Sequence, residues 1–480
     1  MSVKCRATCP LTNKVLNCFE MMGRRERFQR RITSRWSDNL LIFIIYAILS
    51  CFFLPHCAAR DNITINSSLS DGQTLVSARE RFELGFFSPA DSSEAEDIRR
   101  YVGIWYYKSN PRIFVWIANR DKPLPSDGGV LAIAEDGNLK LSVKTENPYW
   151  HTEVQISSPL RRVAKLMDSG NFVLQDDHTG VIWESFKTPT DTFLAGMCMG
   201  ENLSLTSWAS QDDPKAGDFT FSMDQGERWY QITKMHIPYW RSAGSKDVFN
   251  SDKLPDPIIS LLSNCSRNVK PTSKNVFNLP ITSIDNSRKR LVVNYTGEIQ
   301  YWTEDKVKGW SLTWREPRDN CSVFHYCGNF GICNSNYKQK CQCFQGFVPL
   351  SSESWNSGDY SDGCTRKTAF RGEKCKFLNR TITKVRKPDS NFQVKNETEC
   401  SKWCCSCRRC QAYSYEEPNI TRRDNPSDAD TCWIWTEELK DLREDFSNGG
   451  HELYIRVAAT DLGISLTFRI IVESARLVQS

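Results

Sequence analysis

Cysteine distribution constrains the fold of this chain more than any other feature of its sequence. Thirteen of the 20 cysteines lie between Cys321 and Cys432. Such crowding is typical of small modules that lack a large hydrophobic core, fold in an oxidising compartment and are held together by disulfides. The 480 residues are enough for several modules with separate cores. We therefore predict a multi-module protein of the secretory pathway.

Residues 1–59 have the composition of a secretory leader. A basic stretch precedes a nearly unbroken apolar run at residues 40–54, and the small residues Ala58 and Ala59 follow. This order predicts a signal peptide that is cleaved. The apolar run is shorter than the ~20 residues that span a bilayer comfortably. An uncleaved signal anchor is the alternative, and Met21 or Met22 is an alternative start that the sequence leaves open.

The charge balance argues against a polyanionic partner. The formal net charge is +5, and residues 1–35 contain nine Lys or Arg against two Glu, so the remaining residues together carry −2. A folded part with this balance has no general attraction for polyanions. We therefore predict that the protein does not bind nucleic acid.

Acceptor sequences for N-glycosylation are frequent after the leader. Downstream of a secretory signal, nine N-x-S/T sequences predict a glycosylated surface. The nine acceptors are Asn62, Asn66, Asn202, Asn264, Asn294, Asn320, Asn379, Asn396 and Asn419.

Short strands and frequent turns are predicted for residues 61–197. Residues 130–134 and 139–143 alternate in polarity on either side of an Asp-Gly-Asn turn that ends at Asn138. The same strand, turn and strand pattern recurs around Asn171. A repeated hairpin predicts a β barrel or prism with internal pseudo-symmetry.

Seven segments carry a family resemblance. They are SARERFELGFF (77–87), GIWYY (103–107), VWIANRDKP (115–123), DGNLKL (136–141), DSGNFVL (168–174), WESFKTPTDTFLAG (183–196) and SWASQDDPKAGDFTF (207–221). With the cysteine pattern that follows, they resemble the plant S-domain receptor-like kinases with a bulb-type (G-type) lectin domain, and the S-locus glycoproteins. The resemblance implies a mainly β chain of four modules: a bulb-lectin β-prism (61–197), a second S-locus glycoprotein β domain (198–316), an EGF-like module (317–366) and an α+β PAN/apple module (372–457).

Six cysteines after residue 316 have the spacing of an EGF-like module, with a Cys-x-Cys in fourth and fifth place. This likeness implies one of the fifteen possible pairings. The implied bridges are Cys321 to Cys333, Cys327 to Cys341, and Cys343 to Cys364. A structural zinc site would need paired Cys-x-x-Cys or Cys/His sequences, which these spacings do not supply, so we predict no metal.

The PAN-like module is predicted to combine a helix at residues 397–410 with strands at 411–415 and 431–435. The family resemblance pairs Cys400 with Cys432 and Cys404 with Cys410. Fifteen cysteines follow the leader, and an odd number cannot all pair within one chain. Cys405 and Cys407 are the main candidates for a free thiol or an intermolecular bridge. The partner of Cys375 stays open, and Cys198 could pair with Cys265.

A degraded sugar-binding sequence surrounds the first repeated turn. Bulb-type lectins hold mannose with Gln-x-Asp-x-Asn-x-Val-x-Tyr, whose carboxylate, amides and phenol can satisfy the hydroxyls of one hexose. Here Asp136 and Asn138 remain, while Ala134, Lys140 and Ser142 replace the others. In the second frame the asparagine is Asn171. Because Asp-Gly-Asn also favours a turn for structural reasons, we predict weak or no mannose binding.

Catalytic motifs are absent from the sequence. None of the six histidines lies in a recognisable catalytic pattern, and there is no phosphate-binding Gly-rich loop, G-x-S-x-G or H-E-x-x-H sequence. We predict no catalytic residues, no cofactor and no enzyme activity of this chain.

The resemblance implies recognition of an extracellular protein or peptide ligand, including small Cys-rich proteins. Residues 229–240 and 244–280 are the candidate recognition surface, because binding proteins usually vary in loops on a rigid β scaffold. Residues 458–480 are interrupted by charges and are not expected to span a membrane. We expect a truncated or soluble form, secreted to the apoplast or held at the extracellular face. It would act as a homodimer or with a full-length receptor kinase, and a mannose-type lectin is the alternative function.

Overall fold

The computed structural model describes residues 60–461 with internal gaps. The predicted leader and all residues after Asp461 lie outside the described residues. Where the chain is described, no helix combines the length and apolar content needed to cross a membrane. The gaps are 90–98, 126, 144–146, 155–161, 178, 201, 225, 227–228, 245–246, 264–287, 306, 370–374, 418–429 and 445–449.

Three four-stranded antiparallel sheets form the first domain, in the orders β1-β10-β11-β12, β2-β7-β8-β9 and β3-β4-β5-β6. Alternate residues of the central strands are buried, as expected when one face of a sheet packs on the core. The strands are β1 (Asn62–Thr64), β2 (Ser68–Ser70), β3 (Thr74–Val76), β4 (Phe82–Phe87), β5 (Tyr101–Tyr106), β6 (Phe114–Ile117), β7 (Gly129–Ile133), β8 (Leu139–Val143), β9 (Trp150–His151), β10 (Arg162–Leu166), β11 (Phe172–Asp176) and β12 (Gly180–Glu184).

Three tryptophans, one from each sheet, contact one another. The last strand of each sheet contains one of them: Trp116 lies in β6, Trp150 in β9 and Trp183 in β12. Their ring centroids are 5.6 to 6.0 Å apart, and all three pairs meet edge to face. The predicted pseudo-symmetry and the β-prism are therefore confirmed.

Two further four-stranded sheets form the second domain, in the orders β13-β18-β19-β20 and β14-β15-β16-β17. A 3₁₀ turn at Ser185–Lys187 precedes β13, which lies before the predicted boundary at residue 198 and pairs with β18. The sheet of the second domain therefore begins inside the range predicted for the first. The elements are β13 (Thr192–Leu194), β14 (Ser204–Trp208), β15 (Ala216–Met223), β16 (Tyr230–Lys234), β17 (Ile237–Arg241), α1 (Asp256–Ser263), β18 (Lys289–Val293), β19 (Ile299–Asp305) and β20 (Gly309–Glu316).

Short strands and three disulfides form the EGF-like module. A 3₁₀ turn at Asn320–Ser322 opens it, and β29 of the following module joins its sheet in parallel beside β21. Its elements are β21 (Gly331–Cys333), β22 (Cys341–Cys343), β23 (Phe347–Pro349), α2 (Ser352–Ser357) and β24 (Cys364–Arg366), and β29 is Leu442–Arg443.

The PAN-like module packs a helix, α3, on a five-stranded sheet of order β25-β30-β27-β28-β26. The helix begins after Asn396, whose Oδ1 accepts a hydrogen bond from Glu399 N at 3.1 Å. It ends at Ser406, four residues before the predicted end. The elements are β25 (Lys376–Ile382), β26 (Ser390–Val394), α3 (Glu397–Ser406), β27 (Ala412–Glu416), β28 (Asp430–Trp435) and β30 (His451–Val457).

Arg120 joins the first domain to the second. Its guanidinium donates to the carbonyl oxygens of Thr206 (3.0 Å), Ser207 (2.5 Å) and Pro214 (2.9 Å) across the start of the second domain. The carboxylate of Asp121 accepts a hydrogen bond from Ala216 N, also in the second domain, at 3.1 Å. Buried apolar side chains of both domains form one continuous core around this contact.

Asp252 joins the second domain to the two modules that follow. Its carboxylate lies 2.7 Å from Lys384 Nζ and 3.0 Å from an Arg443 guanidinium nitrogen, both in the PAN-like module. Arg318, at the start of the EGF-like module, lies 3.7 Å away. Phe249 of the second domain packs in a core formed mainly by the EGF-like and PAN-like modules.

Candidate functional site

The two turns predicted to be equivalent have the same backbone hydrogen bonds. In the first, Ala134 N donates to Asn138 O and Gly137 N donates to Ala134 O, both at 2.8 Å. The corresponding bonds, at 2.9 and 3.0 Å, close the turn that ends at Asn171. Gly137 has a φ of +78°, which glycine adopts without strain.

The side chain of Asn138 is used inside the fold. Asn138 is buried, and its Oδ1 accepts hydrogen bonds from Thr152 Oγ1 and Val154 N, both at 3.0 Å. These bonds tie β8 to the segment after β9. An amide oxygen held in this way is not available to a sugar hydroxyl.

Asn171 has the same role in the second frame. Its Oδ1 accepts from Ser185 Oγ and Phe186 N, both at 3.2 Å, and its Nδ2 donates to Glu184 Oε2 at 2.8 Å. The two asparagines are therefore equivalent structural residues. The structure does not bring Asn171 together with Asp136 and Asn138 in one binding site, because each turn belongs to a different sheet.

Asp136 is paired with the lysine that replaces the valine of the lectin motif. Its Oδ2 lies 2.6 Å from Lys140 Nζ, and its Oδ1 accepts from Asn138 N at 3.0 Å. Burial raises the pKa of Asp136, but the hydrogen bonds from Lys140 and Asn138 outweigh it and hold the pKa below its usual range. With Ala134 and Ser142 at the outer positions of the motif, the donors and acceptors needed for a hexose are incomplete.

A strained hairpin tip projects from the second domain within the range predicted for recognition. Met235 and His236 connect β16 to β17 with φ of +46° and +69°, the left-handed region that a non-glycine residue adopts at a cost. Met235 is 62% exposed and Ile237 is 68% exposed. Sequence patterns could not identify this turn, because a turn of this kind is normally signalled by Asn-Gly or Asp-Gly.

The base of this hairpin is held firmly. Trp240 is buried, and the carbonyl of Tyr239 accepts from Phe324 N of the EGF-like module at 2.7 Å. The guanidinium of Arg241 lies 4.2 Å from the ring centre of Trp229 and 3.5 Å from a carboxylate oxygen of Asp247. The exposed tip is therefore presented on a rigid support.

The second predicted recognition segment, residues 244–280, is described only in part. Helix α1 lies in it and buries Ile258, Leu261 and Leu262 in the core. This face of the helix has a packing role. Residues 264–280 lie outside the described residues.

Comparisons with known proteins agree with this architecture. Family models match at residues 113–210 (D-mannose binding lectin), 255–351 (S-locus glycoprotein domain) and 373–442 (PAN-like domain). The S-locus-specific glycoprotein S6 of Brassica oleracea is 31% identical over 465 residues, which cover 92% of this chain and 100% of that protein. The chain belongs to the S-locus glycoprotein family. A second family member, BS29-2 of Brassica oleracea var. alboglabra, is also 31% identical, over 96% of its length.

This S-locus glycoprotein family member is also similar to receptor kinases over most of its length. A G-type lectin S-receptor-like serine/threonine-protein kinase of Arabidopsis thaliana is 42% identical over 86% of this chain. The chain spans about half the length of the receptor kinases it matches, 49% in this case. Among solved structures, a monomeric mannose-binding lectin from Gastrodia elata matches 26% of the chain and 96% of its own at 18% identity, with a TM-score of 0.20.

Seven of the nine predicted glycosylation acceptors of this family member are described. Asn62 and Asn294 are half-buried, while Asn264 and Asn419 lie outside the described residues. The exposed acceptors are Asn66, Asn202, Asn320, Asn379 and Asn396.

Disulfides connect most of the described cysteines. Cys375 pairs with Cys405, Cys198 is disulfide-bonded, and among the described cysteines Cys407 carries a free thiol. Cys265 lies outside the described residues, so its pairing with Cys198 stays a prediction. The remaining pairs are those named from the sequence: Cys321–Cys333, Cys327–Cys341, Cys343–Cys364, Cys400–Cys432 and Cys404–Cys410.

Proposed function

We propose that this S-locus glycoprotein family member recognises an extracellular protein or peptide ligand and that the tip of the β16–β17 hairpin contacts it. The exposure of Met235 and Ile237 on a strained, firmly supported turn carries this proposal. Each non-glycine residue in the left-handed region costs about 1 kcal/mol or more. Large apolar side chains held in water at that cost are suited to burial against a partner.

The side chains of the first domain support recognition of a protein better than recognition of mannose. The lectin motif keeps Asp136 and Asn138, but Lys140 neutralises the first and the fold uses the amide oxygen of the second. We therefore expect weak or no binding in a mannose titration followed by calorimetry. Tight mannose binding that Asp136→Ala abolishes would instead establish the alternative lectin function.

Sequence and disulfides support a proposal about the compartment and the partners. The signal-like leader, the acceptor asparagines and the disulfides support secretion to the apoplast or to the extracellular face. We propose that the acceptors carry N-glycans, that the chain has neither cofactor nor catalytic activity of its own, and that it acts as a homodimer or beside a full-length receptor kinase. A Cys-rich secreted protein is the expected ligand type.

A binding screen with matched variants tests the hairpin. The glycosylated protein is screened against secreted plant proteins by surface plasmon resonance, and each partner found is remeasured with Met235→Asp/Ile237→Asp. We expect at least a tenfold loss of affinity, the size of one buried anchor of about 1.4 kcal/mol. Val307, 92% exposed at the β19–β20 turn of the same domain, gives the control Val307→Asp, which should bind normally. Equal binding by all three proteins would contradict the proposal.

A further inference from the structure

One face of the β13-β18-β19-β20 sheet combines a glycosylation acceptor with a half-buried indole. Leu291, Val293, Ile299 and Tyr301 are buried, so this side of the sheet packs on the core. Because successive residues of a strand point to opposite sides, their neighbours form the other side. We call this other side the outer face, defined by Val292, Glu298, Gln300, Trp302, Leu312 and Arg315.

The centre of the outer face contains Trp302, which is half-buried, and the guanidinium of Arg290 lies 5.5 Å from the centre of its ring. Trp302 lies opposite Leu312 in the β19–β20 register, and Leu312 is 38% exposed. At the far end, the Trp310 ring packs 4.7 Å from that of Tyr106 in the first domain. The first domain therefore covers one end of this sheet and leaves the indole of Trp302 partly exposed.

A continuous row of hydrogen bonds runs from Asn294 to that indole. Asn294 Nδ2 donates to Glu298 Oε2 at 3.3 Å, and Gln300 Nε2 donates to the same oxygen at 2.7 Å. Trp302 Nε1 then donates to Gln300 Oε1 at 3.1 Å. Arg315 lies beside the row, 3.2 Å from Glu298 Oε1. The amide nitrogen that would carry a glycan is thus directed onto the outer face.

The backbone turn fixes this direction. Asn294 Oδ1 accepts hydrogen bonds from Glu298 N at 2.9 Å and from Thr296 Oγ1 at 2.8 Å. With the oxygen held on both sides, the nitrogen of the same amide has one orientation. A glycosylated amide keeps one hydrogen on this nitrogen, and that hydrogen can donate to Glu298 when the glycan link takes the other position.

We propose that the N-glycan of Asn294 folds back along the outer face of its own domain, with sugar rings packed on Trp302 and Leu312. Strand residues two apart lie about 6.8 Å from each other, so Glu298 to Trp302 is roughly 14 Å. A few linked pyranose rings cover that distance. The apolar face of a pyranose packs on an indole, while Glu298, Gln300 and Arg315 supply acceptors and donors for its hydroxyl and acetamide groups.

The inference rests on glycosylation of Asn294 and is independent of the hairpin that is proposed to bind the ligand. Glycopeptide mass spectrometry first measures occupancy of Asn294 in protein secreted by plant cells. Hydroxyl-radical footprinting then measures oxidation of Trp302, with the buried Trp435 as the internal reference. An unmodified Asn294 in the wild-type protein would overturn the inference at the first step without affecting the proposed ligand binding.

Two substitutions at Thr296 remove or keep the acceptor together with the hydroxyl that bonds to Asn294 Oδ1, and trimming of the glycan separates the glycan from the turn. Thr296→Ala removes the acceptor sequence, and we expect Trp302 to be oxidised several-fold faster. Thr296→Ser keeps the acceptor and the hydroxyl, and its oxidation should equal that of the wild type. Trimming the folded wild-type glycan to its first sugar should also expose Trp302, which excludes misfolding as the cause. Unchanged oxidation after both treatments would refute the docking.

Discussion

At the junction between the first and second domains, Arg120 places a guanidinium among neutral carbonyl groups, whereas at the next junction Asp252 places a carboxylate among cations. Both side chains are buried. Burial lowers the pKa of Arg120, and the charge of Asp191 opposes the shift. Burial raises the pKa of Asp252, but Lys384, followed by Arg443, outweighs it, and the pKa is held low.

This difference determines what remains when each central charge is removed. Without Arg120, neutral carbonyl oxygens lose a donor, which water can partly replace, and the buried carboxylate of Asp191, whose pKa burial already raises, can take up a proton. Without Asp252, the ammonium of Lys384 and the guanidinium of Arg443 stay buried with less compensation. An uncompensated buried charge is more costly than an unsatisfied carbonyl. The second junction should therefore be the more sensitive of the two.

Removal of the central carboxylate should have the largest effect. Asp252→Asn is expected to destabilise the contact between the second domain and the PAN-like module by about 3 to 5 kcal/mol, because buried cations are left unpaired. Hydrogen exchange of β25 and β29 should rise accordingly. The control is Glu80→Gln, which breaks an exposed ion pair with Lys108 and should cost at most about 1 kcal/mol. Equal effects of the two substitutions would show that the Asp252 contacts are dispensable.

A lysine in place of Arg120 should have a smaller effect. Arg120→Lys keeps the charge but loses the planar fork that reaches several carbonyl oxygens, so we expect a loss of about 1.5 to 3 kcal/mol at the first junction. Increased exchange of β14 amides would report it. Arg112→Lys, at an exposed arginine, serves as the matched control. A loss for Arg120→Lys that exceeds that for Asp252→Asn would reverse the ranking of the two junctions.

The sequence predicted the parts of this molecule that depend on local chemistry. Strand β8 has the predicted bounds, and the Asp-Gly-Asn turn forms where its glycine permits a positive φ. Arg120 lies in a segment recognised as a family motif, yet its partners are about 90 residues away, so its role depended on how two domains meet. Asp252 joins three modules across 132 and 191 residues. Periodicity and turn propensity contain no information about such contacts.

The Asn-containing turns show the same limit at the candidate site. Asp136 and Asn138 could be found from a motif, because their spacing survives. The use of Asn138 inside the fold could not be found in this way, since it depends on Thr152 and Val154 approaching from the segment after β9. The strained turn at Met235 lacks any local signal, because its conformation is imposed by the strands on either side.

Acid should affect the second junction through Glu316, which shares Arg318 with Asp252. Burial, and then the charge of Asp252, raises the pKa of Glu316. The folded state therefore binds a proton more tightly than the unfolded state, and stability from this group is present below the unfolded pKa and lost as pH rises through the folded pKa. Glu316→Gln should remove this loss, so the Tm of the variant relative to the wild type should be higher at pH 7 than at pH 4. A difference that does not vary with pH would show that Glu316 does not titrate in this range.

The smallest effect is expected at the edge of the first junction, where Asp121 accepts a hydrogen bond from Ala216 N at 3.1 Å. Asp121 is exposed, so water can replace most of this bond. Asp121→Ala should cost only about 0.5 kcal/mol. Asp121→Asn keeps the accepting oxygen and should be nearly neutral, which separates the hydrogen bond from the charge. Salt then tests the burial of the second junction: added NaCl should leave the Asp252 contact nearly unchanged, because screening acts mainly on charges in contact with solvent. The Asp121 bond should also change little, because its donor is a neutral N–H. Strong salt dependence of exchange in β25 would mean that the Asp252 cluster is open to water, and the contrast between the two junctions would no longer hold.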